Sequence, residues 1–312
     1  MGKAGQEQEE GLRRWMADQG RSGQDAVSIR PSARARVMAV TSGKGGVGKS
    51  NVTLNLGIAL AMQGERVILL DADLGLANIN ILLGVEPPYT LADVIEGERR
   101  LADILWDGQK GVRIIPGASG ISRLAAADTG EILGIIDGFR TFEGMVDWIL
   151  IDTGAGIAAN VMSFVLASDE VLVVTSPEPT ALADAYGLIK AIWESPENPT
   201  IRLVVNRAQG LDRSERMGRR LIELAEKMLN VEVKWAGLIQ DDVRVPQAIS
   251  RQTPFVLAYP ATIASRDVEA LAKRLMEAKD MVAVSVEGSL EGFLGRLRMA
   301  FSRLIEPGGG DQ

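Results

Sequence analysis

Residues 43–50 have the glycine-rich sequence Gly43-Lys44-Gly45-Gly46-Val47-Gly48-Lys49-Ser50. It matches the pattern G-x-x-x-x-G-K-[ST] and stands between an apolar run at 37–40 and a helical pattern at 51–62. Its glycines let backbone amides turn toward phosphate oxygens, and the N-terminus of the following helix adds its positive dipole end. A plain glycine turn does not need the Gly-Lys-Ser ending. We therefore interpret the stretch as a phosphate-binding loop.

Each position of this loop has an expected task. Lys49 should bridge the β- and γ-phosphates, and the hydroxyl of Ser50 is the short oxygen ligand that Mg²⁺ prefers. The sequence thus predicts ATP or ADP with Mg²⁺ as cofactors. The residues expected to contact the nucleotide here are Gly43, Lys44, Gly45, Gly46, Val47, Gly48, Lys49, Ser50 and Asn51.

Outward from the loop, apolar runs of strand length alternate with helical patterns. Runs of Val, Ile and Leu without polar alternation are typical of strands covered on both faces, and the intervals leave room for a helix each time. This predicts an α/β class, a three-layer P-loop NTPase fold with a mostly parallel twisted sheet and helices on both faces. The expected strands are Val37–Val40, Val67–Leu70, Val112–Ile115, Trp148–Ile151, Glu170–Thr175, Arg202–Val205 and Val233–Ile239.

Composition limits the function. The 312 residues are 46% hydrophobic and 24% charged, the values of an ordinary globular chain. Cysteine and histidine are absent, which excludes disulfides and leaves carboxylates, lysines and water for any chemistry. No signal peptide is recognisable, so we expect a cytoplasmic protein. The net charge of −7 makes nucleic acid an improbable main partner.

Three segments are predicted. Residues 1–36 are polar and read as a flexible arm, residues 37–280 as the nucleotide-binding domain, and residues 281–312 as a linker followed by a helix.

Carboxylates follow two of the predicted strands. Asp71 and Asp73 come after the strand at 67–70, and Asp152 comes after the strand at 148–151, where ligands collect in parallel sheets. Alternation puts Asp71 and Asp73 on one side of an extended chain. Either could instead cap a helix, and Asp152 could belong to an ordinary turn. The paired pattern favours a catalytic and magnesium-binding role.

These motifs resemble the MinD/ParA-type P-loop ATPases over about residues 37–280. The resemblance implies that Lys44 reaches into the nucleotide of a second subunit, so that ATP closes a homodimer; the alternative is a solvated loop lysine. It also implies that Asp73 orients the attacking water, that Lys44 and Lys49 act with it in catalysis, and that Ser50, Asp71 and Asp152 serve the magnesium ion.

Adenine recognition is predicted at the end of another strand. Asn206 resembles the family's adenine-binding asparagine, because a planar amide both donates to and accepts from a purine edge. The guanidinium of Arg207 could stack on the ring. Asn-Arg after a strand is also a common turn, and Gln240 stands where many relatives have a proline.

Two further features resemble the flagellar-number regulators FlhG/FleN. One is Asp184-Ala185-Tyr186 in a predicted helix, whose tyrosine could merely pack. The other is Glu7–Arg13, a degenerate version of an element that in those regulators stimulates the signal-recognition-type GTPase FlhF. The resemblance implies FlhF and flagellar switch or transcription components as partners.

The C-terminal segment predicts an amphipathic helix. Residues 292–305 place their apolar side chains on one stripe, with Arg296 and Arg303 opposite. The stripe consists of Phe293, Leu294, Leu297, Phe301, Leu304 and Ile305. Such a helix binds anionic membrane lipids, which predicts a protein that is peripheral on the inner membrane face when ATP-bound. A helix packed on the core or on a partner is the alternative.

Together these features predict an ATP-hydrolysing switch that cycles between cytoplasm and membrane to regulate flagellar number or placement. A MinD-like regulator of division, a ParA-like DNA segregation ATPase and a nucleotide-binding scaffold without useful turnover remain as alternatives.

Overall fold

The computed structural model describes residues 35–73, 78–117, 135, 138–197, 199–281 and 290–305. Within them an eight-stranded sheet has the order β3-β4-β2-β5-β1-β6-β7-β8. Every neighbouring pair is parallel except β3 with β4, so the predicted α/β fold with a mostly parallel sheet is confirmed. The strands are β1 Arg36–Ser42, β2 Val67–Ala72, β3 Trp106–Asp107, β4 Arg113–Ile115, β5 Trp148–Ala155, β6 Glu170–Thr175, β7 Thr200–Ala208 and β8 Val233–Gln240.

The sequence predicted seven of these strands and missed β3. That strand has two residues, one of them the polar Asp107, so it carries no periodicity that a pattern could detect. Every residue of β2 and β6 is buried, as expected for strands that helices cover on both faces.

Helices cover both faces of the sheet. The helices are α1 Lys49–Met62, α2 Ile79–Leu83, α3 Leu91–Ile95, α4 Ala159–Ala167, α5 Pro179–Trp193, α6 Leu211–Leu229, α7 Arg244–Ser250, α8 Phe255–Ala258, α9 Ile263–Met281 and α10 Leu290–Ile305, with 3₁₀ turns at Leu101–Asp103 and Gln109–Gly111. One hydrophobic core holds α1 and α9 against the sheet, and a second core on the other face holds α4, α5 and α6. Because the strands are parallel, the loops that follow β1, β2, β5, β6 and β7 gather at one edge.

The C-terminal helix α10 packs on α4. Its stripe residues Phe293, Leu294, Leu297 and Phe301 are buried, and the rings of Phe301 and Phe164 meet edge to face with centroids 5.6 Å apart. This is the packing that the sequence left open as an alternative to a free helix. In the part of the chain that the structure describes, no helix is long and apolar enough to cross a bilayer. The predicted arm, apart from its last two residues, and the linker at 282–289 lie outside the described residues.

Candidate nucleotide site

The phosphate-binding loop joins β1 to α1, as predicted. Gly48 is the residue before α1 and has a φ of 90°, a conformation that favours glycine. A β-carbon on Gly48 would lie 2.5 Å from Nδ2 of Asn206, and one on Gly43 would lie 2.2 Å from the carbonyl oxygen of Asp184. Close packing therefore requires both glycines. Gly45 and Gly46 are exposed at the tip of the loop, whereas Val47 is buried in the core.

A buried ion pair lies beneath the loop. Nζ of Lys49 donates to Oδ1 of Asp152 at 2.9 Å, and the hydroxyl of Thr53 donates to the same oxygen at 3.0 Å. Lys49 is only 7% exposed and Asp152 is fully buried. The other carboxylate oxygen of Asp152, Oδ2, is buried and has no hydrogen-bond partner among the described residues. A buried, unsatisfied charged oxygen is costly, and it marks a place where a ligand can add a contact.

Asp71 lies beside Asp152, because β2 and β5 bring the two residues into register. Its Oδ2 accepts from the backbone amides of Asn78 at 2.9 Å and Ile79 at 3.0 Å. Burial, followed by the charge of Asp152, raises the pKa of Asp71 to about 7. The carboxylate thus fixes the chain on the far side of residues 74–77, which lie outside the described residues.

Asp73 connects the first carboxylate loop with the second. Its Oδ2 accepts from Nδ2 of Asn78 at 3.3 Å, and its backbone amide donates to Oδ1 of Asp71. A β-carbon on Gly154 would lie 3.8 Å from Oδ1 of Asp73. The segments that follow β2 and β5, which we name the two switch segments, therefore meet at this residue.

The extra lysine of the loop is held within its own protomer. Nζ of Lys44 donates to Oε2 of Glu178 and to the hydroxyl of Thr180, both at 3.0 Å. The side chain of Lys44 is 39% exposed and that of Glu178 is 61% exposed. A surface pair of this kind contributes little stability, about 0–1 kcal/mol, so Lys44 can leave it easily.

The predicted adenine residues lie beside the loop in different ways. Nδ2 of Asn206 donates to the carbonyl oxygen of Val47 at 2.8 Å. Arg207 has a positive φ of 54° and makes a long 3.5 Å contact with the carbonyl of Gly46. Gln240 is held by Asp267 of α9. Asn206 therefore lies against the phosphate loop, while the side chain of Gln240 is committed to α9.

Asn51 is bonded to Asn55, one helical turn further along α1. Its backbone carbonyl and its side-chain oxygen accept from Nδ2 of Asn55 at 2.7 and 3.0 Å, and the side-chain oxygen of Asn55 accepts from the amide of Val256. Asn51 stays a predicted nucleotide contact, and it is Asn55 that joins α1 to α8.

The donor set fits a magnesium ion bound together with phosphates. Ser50 and the unpaired oxygen of Asp152 are oxygen donors beside Lys49, whose Nζ lies 3.4 Å from the hydroxyl of Ser50. Within the described ranges there is no group of three or more acidic side chains that could hold a metal alone. Mg²⁺ commonly takes one or two protein ligands and completes its shell with phosphate and water, so the small set suffices.

The sequence did not reveal four contributors to this site. Thr53 lies one helical turn after Lys49, a spacing that could have indicated it. Asn78 follows Asp73 by five residues, but no periodic pattern indicates its bonds to Asp71 and Asp73. Glu178 and Thr180 are distant along the chain, and only the fold brings them to Lys44.

A glycine-rich loop between β1 and α1, with a buried lysine and strand-end carboxylates, defines a P-loop nucleotide-binding protein. The CobQ/CobB/MinD/ParA nucleotide binding domain matches residues 38–255, and the chain belongs to this family of P-loop ATPases. The resemblance inferred from the motifs is thereby confirmed.

Three relatives are close along most of their length. The antiactivator FleN of Pseudomonas aeruginosa is 40% identical over 262 residues, which cover 84% of this chain and 93% of FleN. The flagellum site-determining protein YlxH of Helicobacter pylori is 32% identical over 267 residues, covering 84% and 89%. The septum site-determining protein MinD of Pyrococcus horikoshii, solved with Mg-ADP, superposes with a TM-score of 0.66 at 27% identity, covering 80% and 100%.

Proposed function

We propose that this protein is an ATP-hydrolysing, dimerising switch that regulates flagellar number or placement. The observation that carries the nucleotide part is the buried Lys49–Asp152 pair beside an unsatisfied oxygen of Asp152. The flagellar part is supported by FleN and YlxH, two relatives with flagellar names. The MinD relative favours division control as the second candidate.

Phosphate binding redistributes charge in this site. Lys49 neutralises Asp152 in the described arrangement, and an incoming phosphate offers Lys49 a second, stronger negative partner. The ammonium then turns to the phosphate and leaves Asp152 with Thr53 and Ser50 as neighbours. A magnesium ion held by Ser50, by Asp152 through water, and with Asp71 nearby would neutralise the developing phosphate charge.

Asp73 is proposed to orient the attacking water. It lies where the two switch segments meet, so a change in one segment moves the carboxylate relative to the other. We expect Asp73→Ala to retain ATP, to hydrolyse it at least about 100-fold more slowly and to accumulate the dimer, since holding phosphate and orienting water are separate tasks. Filter binding and phosphate release should be measured on the same samples. Normal turnover in this variant would refute the assignment.

Lys44 is proposed to cross to the nucleotide of a second copy. Its contacts with Glu178 and Thr180 are exposed and weak, so exchanging them for a phosphate costs little. Lys44→Ala should bind ATP but remain monomeric in analytical ultracentrifugation with a slowly hydrolysed ATP analogue. Lys190→Ala, an exposed lysine on α5, is the control. A Lys44→Ala dimer equal to the wild-type dimer would exclude the crossing role.

We also propose reversible attachment to the inner membrane face through α10. The stripe that would enter the lipid is buried on α4, so insertion requires the helix to leave that surface. Burial of each large apolar side chain stabilises by about 1.5–3 kcal/mol, so docking on α4 competes directly with the membrane. Dimerisation supplies two helices and raises the effective affinity of the second.

Arg296 separates two explanations of such binding. It donates to the carbonyl of Ala167 at 2.8 Å and to Asp169 at 2.6 Å, holding α10 down. If insertion limits binding, Arg296→Ala should increase sedimentation with anionic liposomes in ADP, because the helix undocks more readily. If adsorption by charge limits binding, the same variant should decrease it. Phe293→Asp with Phe301→Asp should abolish insertion, and Met299→Asp, which is exposed, is the matched control.

The cellular role is decided by deletion. Loss of the gene should change the number or position of flagella, and Asp73→Ala should fail to restore them. The signal-recognition-type GTPase FlhF is the proposed partner of the N-terminal element, testable as GTP turnover with and without residues 1–34. Normal flagella with misplaced septa would support the division candidate instead.

A further inference from the structure

The exposed side of α6 carries a row of arginines. Leu221, Ala225 and Leu229 face the core, so a spacing of 100° per residue places Arg213, Arg216 and Arg220 on the opposite side. These three residues form the arginine ridge. They are exposed, and within the described part of the chain no ion pair involves them. The same side of α6 also carries Asp212, Glu223 and Lys227, so four cations and two carboxylates leave this side with a net positive charge.

One flank of α6 is occupied. Arg219 pairs with Glu215 at 2.8 Å and lies over the ring of Trp235, 5.3 Å from its centroid. Trp235 belongs to β8, the edge strand of the sheet. This flank therefore faces outward, past the end of the sheet.

The other flank is apolar and exposed. Met217, Leu224 and Met228 lie along it at spacings of seven and four residues, and Leu224 and Met228 are 45% and 63% exposed. Right-handed crossovers place α6 beside the flank of α5 that carries Leu182, Tyr186 and Trp193. Leu182 and Tyr186 pack on the same core as the buried side of α6, and Trp193 remains 42% exposed. The two apolar flanks line what we name the α5–α6 groove: Leu182, Tyr186, Trp193, Met217, Leu224 and Met228.

A contiguous apolar surface with large exposed side chains is typical of a site that binds a protein, a membrane or another ligand. The α5–α6 groove has an apolar base and a positively charged rim, although the net charge of the chain is −7. A hydrophobic groove between two helices is typical of a surface that binds an amphipathic helix lengthwise, because such a helix presents its apolar side chains at helical spacing. A bilayer would need apolar side chains that project beyond the arginines, whereas these lie below the ridge between two helices. Nucleic acid would leave the apolar base of the groove uncovered.

We infer that the α5–α6 groove docks an amphipathic helix of a partner protein whose apolar stripe is bordered by acidic residues. The stripe would cover Trp193, Leu224 and Met228, and the acidic border would meet the arginine ridge. The groove lies on the face of the sheet opposite α1 and uses no residue of the nucleotide site. This inference is therefore independent of the proposed ATP switch.

The test uses the full chain and a fluorescent synthetic peptide. The peptide has about 18 residues, with Leu or Phe at every third or fourth position and Glu elsewhere, which is long enough for a helix. A version with Lys in place of Glu and a scrambled version accompany it. We expect saturable anisotropy with a Kd on the order of tens of micromolar for the Glu peptide, and binding at least about tenfold weaker for the other two.

Substitutions locate the site. Met228→Asp should weaken the Glu peptide at least about tenfold, and Met62→Asp should not, although Met62 on α1 is also an exposed methionine. Arg216→Glu with Arg220→Glu should weaken the Glu peptide and improve the Lys peptide, whereas Arg266→Glu on α9 should do neither. All of these positions are outside the core, so the variants should fold.

Three results would overturn the inference. The first is no saturable binding of the Glu peptide to the wild-type chain. The second is binding that both groove variants leave unchanged. The third is binding of duplex DNA, or of anionic phospholipid vesicles, through Arg216 and Arg220 that is tighter than binding of the peptide. The vesicles are tested on the Phe293→Asp, Phe301→Asp variant. The occupant of the site would then be nucleic acid or a membrane.

Discussion

Charged side chains are buried at both the amino ends and the carboxyl ends of the strands, but their hydrogen bonding differs between the two ends. At the amino ends of the strands, Glu170 accepts from both Arg36 and Arg202, and Arg36 also donates to the carbonyl of Leu275 and stacks over Trp148. At the carboxyl ends, Lys49 pairs with Asp152 while one oxygen of Asp152 remains unsatisfied. A paired network stabilises one structure, whereas an incomplete network has capacity for a ligand.

Lys49→Ala should have the largest effect on function. It removes the phosphate contact and leaves Asp152 buried without its cation, so ATP affinity should fall at least about 100-fold and stability by about 3 kcal/mol. Nucleotide titration and urea unfolding measure the two losses. Adding Asp152→Asn should recover stability without recovering ATP binding. If stability and ATP binding recovered together, the Lys49–Asp152 pair would have only a structural role. The difference between the two ends of the strands would then not hold.

Among substitutions at the amino ends of the strands, Glu170→Ala should have the largest effect on stability. It leaves the buried Arg202 and the partly buried Arg36 facing each other, which should cost about 3–5 kcal/mol of unfolding free energy. Burial and the charge of Arg202 already lower the pKa of Arg36 to about 10. Nucleotide affinity of the folded fraction should not change. Glu170→Gln keeps hydrogen bonding without the charge and should lose less.

Asp71→Asn should change stability in a pH-dependent manner. The pKa of Asp71 rises from 3.8 to about 7 in the folded protein, so the native state binds the proton more tightly than the unfolded chain. Between these pH values the group's contribution to stability falls as pH rises, and above about pH 7 the loss is complete. The variant without nucleotide should therefore gain stability over the wild type at about pH 8 and little at about pH 4. A gain independent of pH in chemical denaturation would contradict the burial of a charged carboxylate.

Glu178→Ala should have the smallest effect. The Lys44–Glu178 pair is exposed, so its removal should change unfolding free energy by less than about 1 kcal/mol. Glu194→Ala, which breaks the exposed pair with Lys190, is the matched control. A loss well above the control would show that Lys44 is held more firmly than its exposure indicates, and would weaken the proposal that it leaves for a second subunit.

Sequence patterns alone predicted the phosphate-binding loop, the alternation of strands and helices, and the strand-end positions of Asp71, Asp73 and Asp152. Local sequence is enough to predict these features, because loop conformation, strand burial and residue spacing depend on residues that are neighbours along the chain. The family was recognisable from the same stretches. Strand β3 was beyond this approach, because two residues carry no period.

The contacts between groups that are distant along the chain depend on the fold and could not be predicted from local sequence. Asn206 lies on the loop at Val47, Glu178 and Thr180 receive Lys44, and β2 and β5 bring Asp71 beside Asp152. The C-terminal helix makes the point most clearly, since its amphipathic pattern was equally compatible with a membrane and with a protein surface. Periodicity specifies that a face will be buried, but the surface that buries it is set by the shape of α4 and by Asp169, far away along the chain.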